Sequence, residues 1–90
     1  MDLLIGNKPI KAYLLYGLSS LEKDDKLTLK ARGRSIAKTV DLAEIFKRKL
    51  PELKLVSISI GTQTLTDKES KREINVSTLE IELVKQKNKD

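Results

Sequence analysis

The run Lys30-Ala31-Arg32-Gly33-Arg34-Ser35-Ile36-Ala37-Lys38 changes its hydrophobic period midway, and its reading decides the fold. Before it, Leu27-Thr28-Leu29-Lys30 alternates apolar and polar residues as a half-buried strand does. After it, Ile36, Val40, Ala43, Phe46 and Leu50 recur at helical spacing. The stretch is therefore a strand-to-helix corner hinged at Gly33, where a glycine admits a positive φ and a close backbone approach. Ser35 is placed to cap the helix that follows. Lys30, Arg32, Arg34 and Lys38 give the corner four positive charges and no negative one. Free N–H groups at a helix start, with guanidinium forks beside them, make a phosphate-binding corner. A solvated basic turn has the same pattern, and this stretch by itself does not separate the two.

Outward from the corner the elements alternate. Leu3-Leu4-Ile5 is a short apolar run ending at Gly6 and reads as strand one. Asn7 can cap and Pro9 suits a first helical turn. Ile10, Tyr13, Leu14, Leu18 and Leu21 then follow at helical spacing, with Leu15 and Tyr16 widening the stripe. Lys8 and Lys11 stand near that helix start against the dipole, at a cost of a few tenths to about 1 kcal/mol. An anion is expected there; simple solvation of both lysines is the alternative. Strand two runs from Lys26 to Ala31 and helix two from Ser35 to Leu50, where Pro51 stops it. Leu42 and Ile45 add a second apolar strip, so this helix is expected to face both the sheet and another subunit.

From Glu52 the period is two almost to the end, which makes a long hairpin. Its connection, Thr66 to Glu73, is charged and carries Lys68, Lys71 and Arg72. The apolar phase changes between Val76 and Leu79, predicting an inner part packed on the helices, an outer free ribbon and a bulge between them. A two-stranded ribbon can enter a DNA groove. An ordinary exposed hairpin, or an edge pairing with another subunit, accounts for the same pattern. Lys85 to Asp90 reads as a frayed basic tail. The order is βαβαββ over one domain, residues 1–90: an α+β two-layer sandwich with an extended β-hairpin arm at about 60–78.

Composition narrows the function. Eighteen Lys+Arg against 13 Asp+Glu leave +5, which favours an anionic partner. With no cysteine and no histidine, the chain lacks thiolate metal ligands, a disulfide framework and the commonest general base. No enzyme, metal or cofactor is expected, and Asp41 with Glu44 reads as helix-surface charge. Gly6-Asn7-Lys8 and Ala31-Arg32-Gly33-Arg34 are too short and wrongly spaced for nucleotide-binding loops. Aromatics are 3% of the chain, and Tyr13, Tyr16 and Phe46 sit at core-like helical positions, which argues against base stacking and for backbone recognition. Met1 to Asn7 lacks signal-peptide features and no apolar run reaches membrane-spanning length, so a soluble intracellular protein with no membrane partner is expected.

Four segments in order, Ile5-Gly6-Asn7-Lys8-Pro9, Lys30 to Asp41, Gly61-Thr62-Gln63 and Val76-Ser77-Thr78-Leu79-Glu80-Ile81, resemble the Alba family of archaeal chromatin proteins. The resemblance spans nearly the whole chain. It implies a dimer with a fold like the C-terminal domain of a bacterial translation initiation factor. It also implies sequence-tolerant binding and compaction of double-stranded DNA, with the body on the phosphate backbone and the arms towards minor grooves, in the cytoplasm on the chromosome. RNA is a second implied partner, because superfamily members bind RNA, including subunits of eukaryotic ribonuclease P. A structural or assembly subunit with no nucleic-acid role is the rival reading. The expected binding residues are Asn7, Lys8, Lys11, Lys30, Arg32, Arg34, Lys38, Lys68, Lys71 and Arg72. The family usually has two lysines after Ile-Gly, the first associated with acetylation; here Asn7 replaces the first and Lys8 keeps the second. Lys49 stands where the family often has an aromatic before Leu-Pro for contacts between dimers. That departure marks a divergent paralogue, with a heterodimer with another Alba-like chain as the alternative to a homodimer.

Overall fold

A computed structural model describes residues 1–86. Its elements are β1 (Asp2–Leu4), α1 (Ile10–Leu21), β2 (Lys26–Arg32), a 3-10 turn (Gly33–Ser35), α2 (Ile36–Lys49), β3 (Leu53–Thr66) and β4 (Glu73–Lys85). The strands form one sheet in the order β1-β2-β4-β3, with β1 parallel to β2 and β4 antiparallel to both its neighbours. Register sets the faces. Leu3, Leu29 and Ile81 lie side by side, as do Ala31 and Leu79, and all five are buried. Tyr13 and Leu21 of α1 and Leu42, Ala43 and Phe46 of α2 complete that core, so both helices cover one face of the sheet. The strand period of two and the helix period of 3.6 thus converge on a single apolar layer, which is the expected α+β sandwich.

Gly33 takes φ +58, the left-handed conformation the corner requires. The caps differ from expectation. Ser35 ends the 3-10 turn and makes no capping bond, and α1 is entered through extended Pro9 with no side-chain cap from Asn7. The core stripe of α2 is rotated as well: Thr39, Leu42, Ala43 and Phe46 are buried, while Val40 is 45% exposed. Thr39 can go inward because its hydroxyl donates to the Ser35 carbonyl at 2.8 Å. Leu15 and Tyr16 are exposed and do not extend the core stripe of α1. Gly17, by contrast, is buried: a Cβ there would fall 2.3 Å from Phe46 Cζ, so the lack of a side chain is what lets α1 lie against α2.

β2 stops pairing at Arg32 opposite Thr78, and beyond that point β3 and β4 pair only with each other, out to Thr66 opposite Glu73. The ribbon gives the molecule its length, 59 × 23 × 20 Å. The bulge lies in β3, between Leu55 and Ser57, and not between Val76 and Leu79, where β4 runs in unbroken register. The phase change in β4 has another cause. Leu79, Ile81 and Leu83 face the helices, whereas Ile74 and Val76 fall on the opposite side of the ribbon, where Ile74 is exposed and Val76 lies against Gly33 of the 3-10 turn. Lys85 is not frayed: it ends β4 and its Nζ donates to the Leu21 carbonyl. The rest of the expected tail, residues 87–90, lies outside the described residues.

Candidate nucleic-acid interface

The N-terminal turn and the basic corner meet because β1 pairs with β2 and the Ile5 amide continues that pairing, donating to the Lys30 carbonyl at 2.8 Å. An open concavity at this junction is lined by Asn7, Lys8, Lys30, Arg32, Gln63 and Glu80, among others. Four of the expected binding residues are therefore neighbours here, although two come from one loop and two from another part of the chain. Arg34 is exposed in the adjoining 3-10 turn and Lys11 is exposed in the first turn of α1.

The cations at the junction are not equivalent. Lys30 Nζ lies 3.1 Å from Asp2 Oδ2 on the face of the sheet away from the helices, and that hydrogen bond holds its pKa above the usual lysine range. On the same face Lys26 pairs with Glu82 at 2.6 Å. The hydrogen bond raises the lysine and, with Ser57 Oγ also donating to it, holds the Glu82 carboxyl below its ordinary value. The centre of this face, with Asp2, Lys26, Lys30, Glu80 and Glu82, is locally neutralised and is not where the excess positive charge is presented. Arg32 Nη1 donates to Gln63 Oε1 at 3.2 Å, which fixes the guanidinium against the base of the ribbon and leaves the rest of the fork exposed. Lys38 Nζ donates to the carbonyls of Gly6 and Lys8, at 2.9 and 3.1 Å. Among the described residues no carboxylate lies within ion-pair distance of Lys8, Lys11, Arg32 or Arg34.

Lys68, Lys71 and Arg72 are exposed at the far end of the ribbon and are not brought to this junction. The tip is a built turn. Asp67 Oδ1 accepts from the Glu69 amide and Oδ2 from Ser70 Oγ, both at 3.0 Å, and Lys71 takes φ 57. Those bonds, the Glu69 amide foremost, hold the Asp67 carboxyl below its ordinary value.

Sequence reasoning missed the two faces of the ribbon. Opposed pairs Thr62 with Ser77 and Thr64 with Asn75 put a row of short polar groups on the helix side; Leu65 with Ile74, and Gln63 with Val76, make the other side mostly apolar. Thr64 Oγ1 bonds Asn75 Oδ1 at 3.0 Å, leaving the Asn75 NH2 free to donate outward. The alternation of Thr62, Thr64 and Thr66 was the available signal. Tyr13 is buried, as its core-like helical position predicts, but its hydroxyl also accepts from the amides of Gly6 (2.7 Å) and Lys8 (3.1 Å). No periodicity reveals that second role.

A small α+β sandwich with helices on one sheet face, a projecting ribbon and exposed cations at the ribbon's base is a distinct structural class. Within it, the Alba family model matches residues 2–64, and this chain belongs to the Alba family. It is 36% identical over 81 residues to "DNA/RNA-binding protein Alba" of Methanocella arvoryzae, covering 88% of this chain and 83% of that one. It is 37% identical over 84 residues to the protein of the same name in Methanococcus maripaludis, covering 90% and 93%. Alba from Thermoplasma volcanium superposes with a TM-score of 0.86 at 34% identity, over 94% of this chain and all of that one. ALBA1 from Trypanosoma brucei, at 15% identity, TM-score 0.71 and coverage of 93% and 68%, shares the fold. No described helix is long and apolar enough to cross a membrane.

Proposed function

We propose that this protein binds double-stranded DNA without sequence preference and compacts it on the chromosome, in the cytoplasm, as a binding protein and not an enzyme. The observation that carries the reading is that Lys8 and Arg32 line one concave junction where the ribbon leaves the body, with Arg34 exposed in the adjoining 3-10 turn, and that none of the three has a carboxylate within ion-pair distance among the described residues. Guanidinium and ammonium groups held at a concave junction suit phosphates, and phosphate contacts position a protein on a duplex without reading its sequence. The ribbon then reaches beyond the body towards the minor groove. Its Thr62, Thr64, Asn75 and Ser77 side is neutral and can both donate and accept, which fits groove-floor acceptors. The same side fits the 2′-hydroxyls of a shallow RNA minor groove, so duplex RNA is the second reading, and the name carried by the two archaeal relatives supports it.

The active form is a dimer. Ile58, 56% exposed, and Ile60, 84% exposed, pair with buried Ile81 and Leu79 and so share the apolar face of the sheet, yet no element among the described residues covers them. Fully burying each against a second copy contributes about 1.5–3 kcal/mol. A partner of the same family could supply the same cover in a heterodimer.

Titration against duplex DNA, duplex RNA and single strands at several salt concentrations tests the function. Binding should weaken linearly in log affinity against log salt. Arg34→Ala should flatten that slope by about 0.9 per contact for DNA, or about twice that where both copies in a dimer dock, with the same effect on every duplex sequence. Salt-independent retention, or an unchanged slope in Arg34→Ala, refutes docking through the junction.

A further inference from the structure

We propose that Lys38 is a positioning residue: its ammonium clamps the Gly6–Lys8 turn and so sets where Lys8 presents its charge, instead of contacting nucleic acid itself. The clamp stands on the geometry of the free protein; its role in binding rests on the function proposed above.

The turn between β1 and α1 has no capping side chain of its own, since α1 opens on extended Pro9 without a side-chain cap. Its polar backbone is instead held from outside. The amides of Gly6 and Lys8 donate to the buried Tyr13 hydroxyl, and the carbonyls of the same two residues accept from Lys38 Nζ, which reaches them from 32 and 30 residues away. Four backbone groups of one turn thus converge on two side chains. An ammonium has three donors. Two are committed to these carbonyls, and the group also stands 6.0 Å from the centroid of the Tyr13 ring, within range of its negative face. That leaves one N–H, so a phosphate could engage Lys38 through a single donor, and through more only by displacing a carbonyl of the turn and leaving it to water. Lys8 differs: its Nζ lies over the exposed Tyr16 ring at 5.2 Å, held at the surface and free to meet an anion. With Lys38 in α2 and Lys8 before α1, the clamp also fixes Lys8 relative to Arg34, one residue before the end of the turn that opens α2.

Two experiments decide this. First, reductive dimethylation of the free wild-type protein with limiting formaldehyde and cyanoborohydride, read by peptide mass spectrometry, should modify Lys38 several-fold more slowly than Lys8 or Lys11. Equal rates overturn the clamp, and this result does not depend on any nucleic acid or on a variant folding. Second, Lys8→Ala, Lys38→Met and the double variant are compared for affinity and salt slope on duplex DNA. A positioning residue acts through Lys8, so Lys38→Met should weaken binding in the wild-type background and change neither affinity nor slope once Lys8 is alanine. A further flattening of about 0.9 per site in the Lys8→Ala background means that Lys38 contacts phosphate directly, and overturns the positioning role. Should the wild type not bind duplex at all, the proposed function fails while the labelling result still settles the clamp.

Discussion

At the scale of the residue, the same side-chain type does different work depending on what lies within 4 Å of it. The sequence presents Lys8, Lys30 and Lys38 alike as phosphate ligands, yet Lys30 is held by Asp2 and Lys38 by two carbonyls, and of the three only Lys8 has no hydrogen-bonding partner for its ammonium among the described residues. An exposed ion pair such as Lys30 with Asp2 contributes roughly 0–1 kcal/mol, so its value is in shaping the surface charge more than in stability. Gly17 is the opposite case, a residue with no side chain and a large effect. Adding a methyl at a helical glycine gains up to about 1 kcal/mol of propensity. Here, however, that methyl would sit 2.3 Å from Phe46 Cζ and 2.7 Å from Cε1, and Phe46 is fully buried. Overpacking of this kind typically costs about 1–3 kcal/mol, so Gly17→Ala should lower stability despite its better propensity. Thermal unfolding at fixed protein concentration measures it, with a drop of roughly 4–8 °C per kcal/mol expected for a domain of this size. A rise in Tm would mean that α1 and α2 do not meet at this glycine.

At the scale of the element, the ribbon separates charge from hydrogen bonding. Its tip carries the cations and its helix-side face carries the hydroxyls and the Asn75 amide, so the two should be distinguishable by salt. Thr62→Val and Thr64→Val keep a β-branched side chain suited to a strand and delete only the hydroxyl. Each lost hydrogen bond is worth about 0.5–1.5 kcal/mol, a loss of roughly twofold to tenfold in affinity. The salt slope should stay unchanged because no counterion release is involved. Unaltered affinity in the double variant would exclude this face from the contact. The tip has its own pH dependence. Because the folded-state pKa of Asp67 is depressed, its restraint is complete above the ordinary aspartate value of 3.8 and is lost as pH falls through the lower folded value. Chemical shifts of the Glu69 amide should therefore titrate with a midpoint below 3.8, and a midpoint at or above it would contradict the Asp67 turn.

At the scale of the whole molecule, the apolar face of the sheet extends past the helices that cover it, and Ile58 and Ile60 mark the overhang. Ile60→Asp should leave the chain folded, since its site is mostly in water, but shift sedimentation from dimer towards monomer and steepen the protein-concentration dependence of DNA binding. A dimer that survives Ile60→Asp unchanged would place the interface elsewhere. The element order, the α+β class and the Gly33 hinge were legible in the sequence because period, turn chemistry and net charge are local properties of neighbouring residues. So were core strand positions such as Leu27, Leu29 and Leu79, since a half-buried strand shows its burial as alternation. The core face of α2 was not: a helix with apolar residues on several sides can seat more than one stripe, and the sheet chose Thr39 and Leu42 over Val40. The bulge at Val56, the two faces of the ribbon and the partners of Lys30 and Lys38 depend on strand register and on contacts across some 30 residues of chain. Local pattern carries no information about such distances, so only the tertiary structure decided which of the basic residues are free to meet a phosphate.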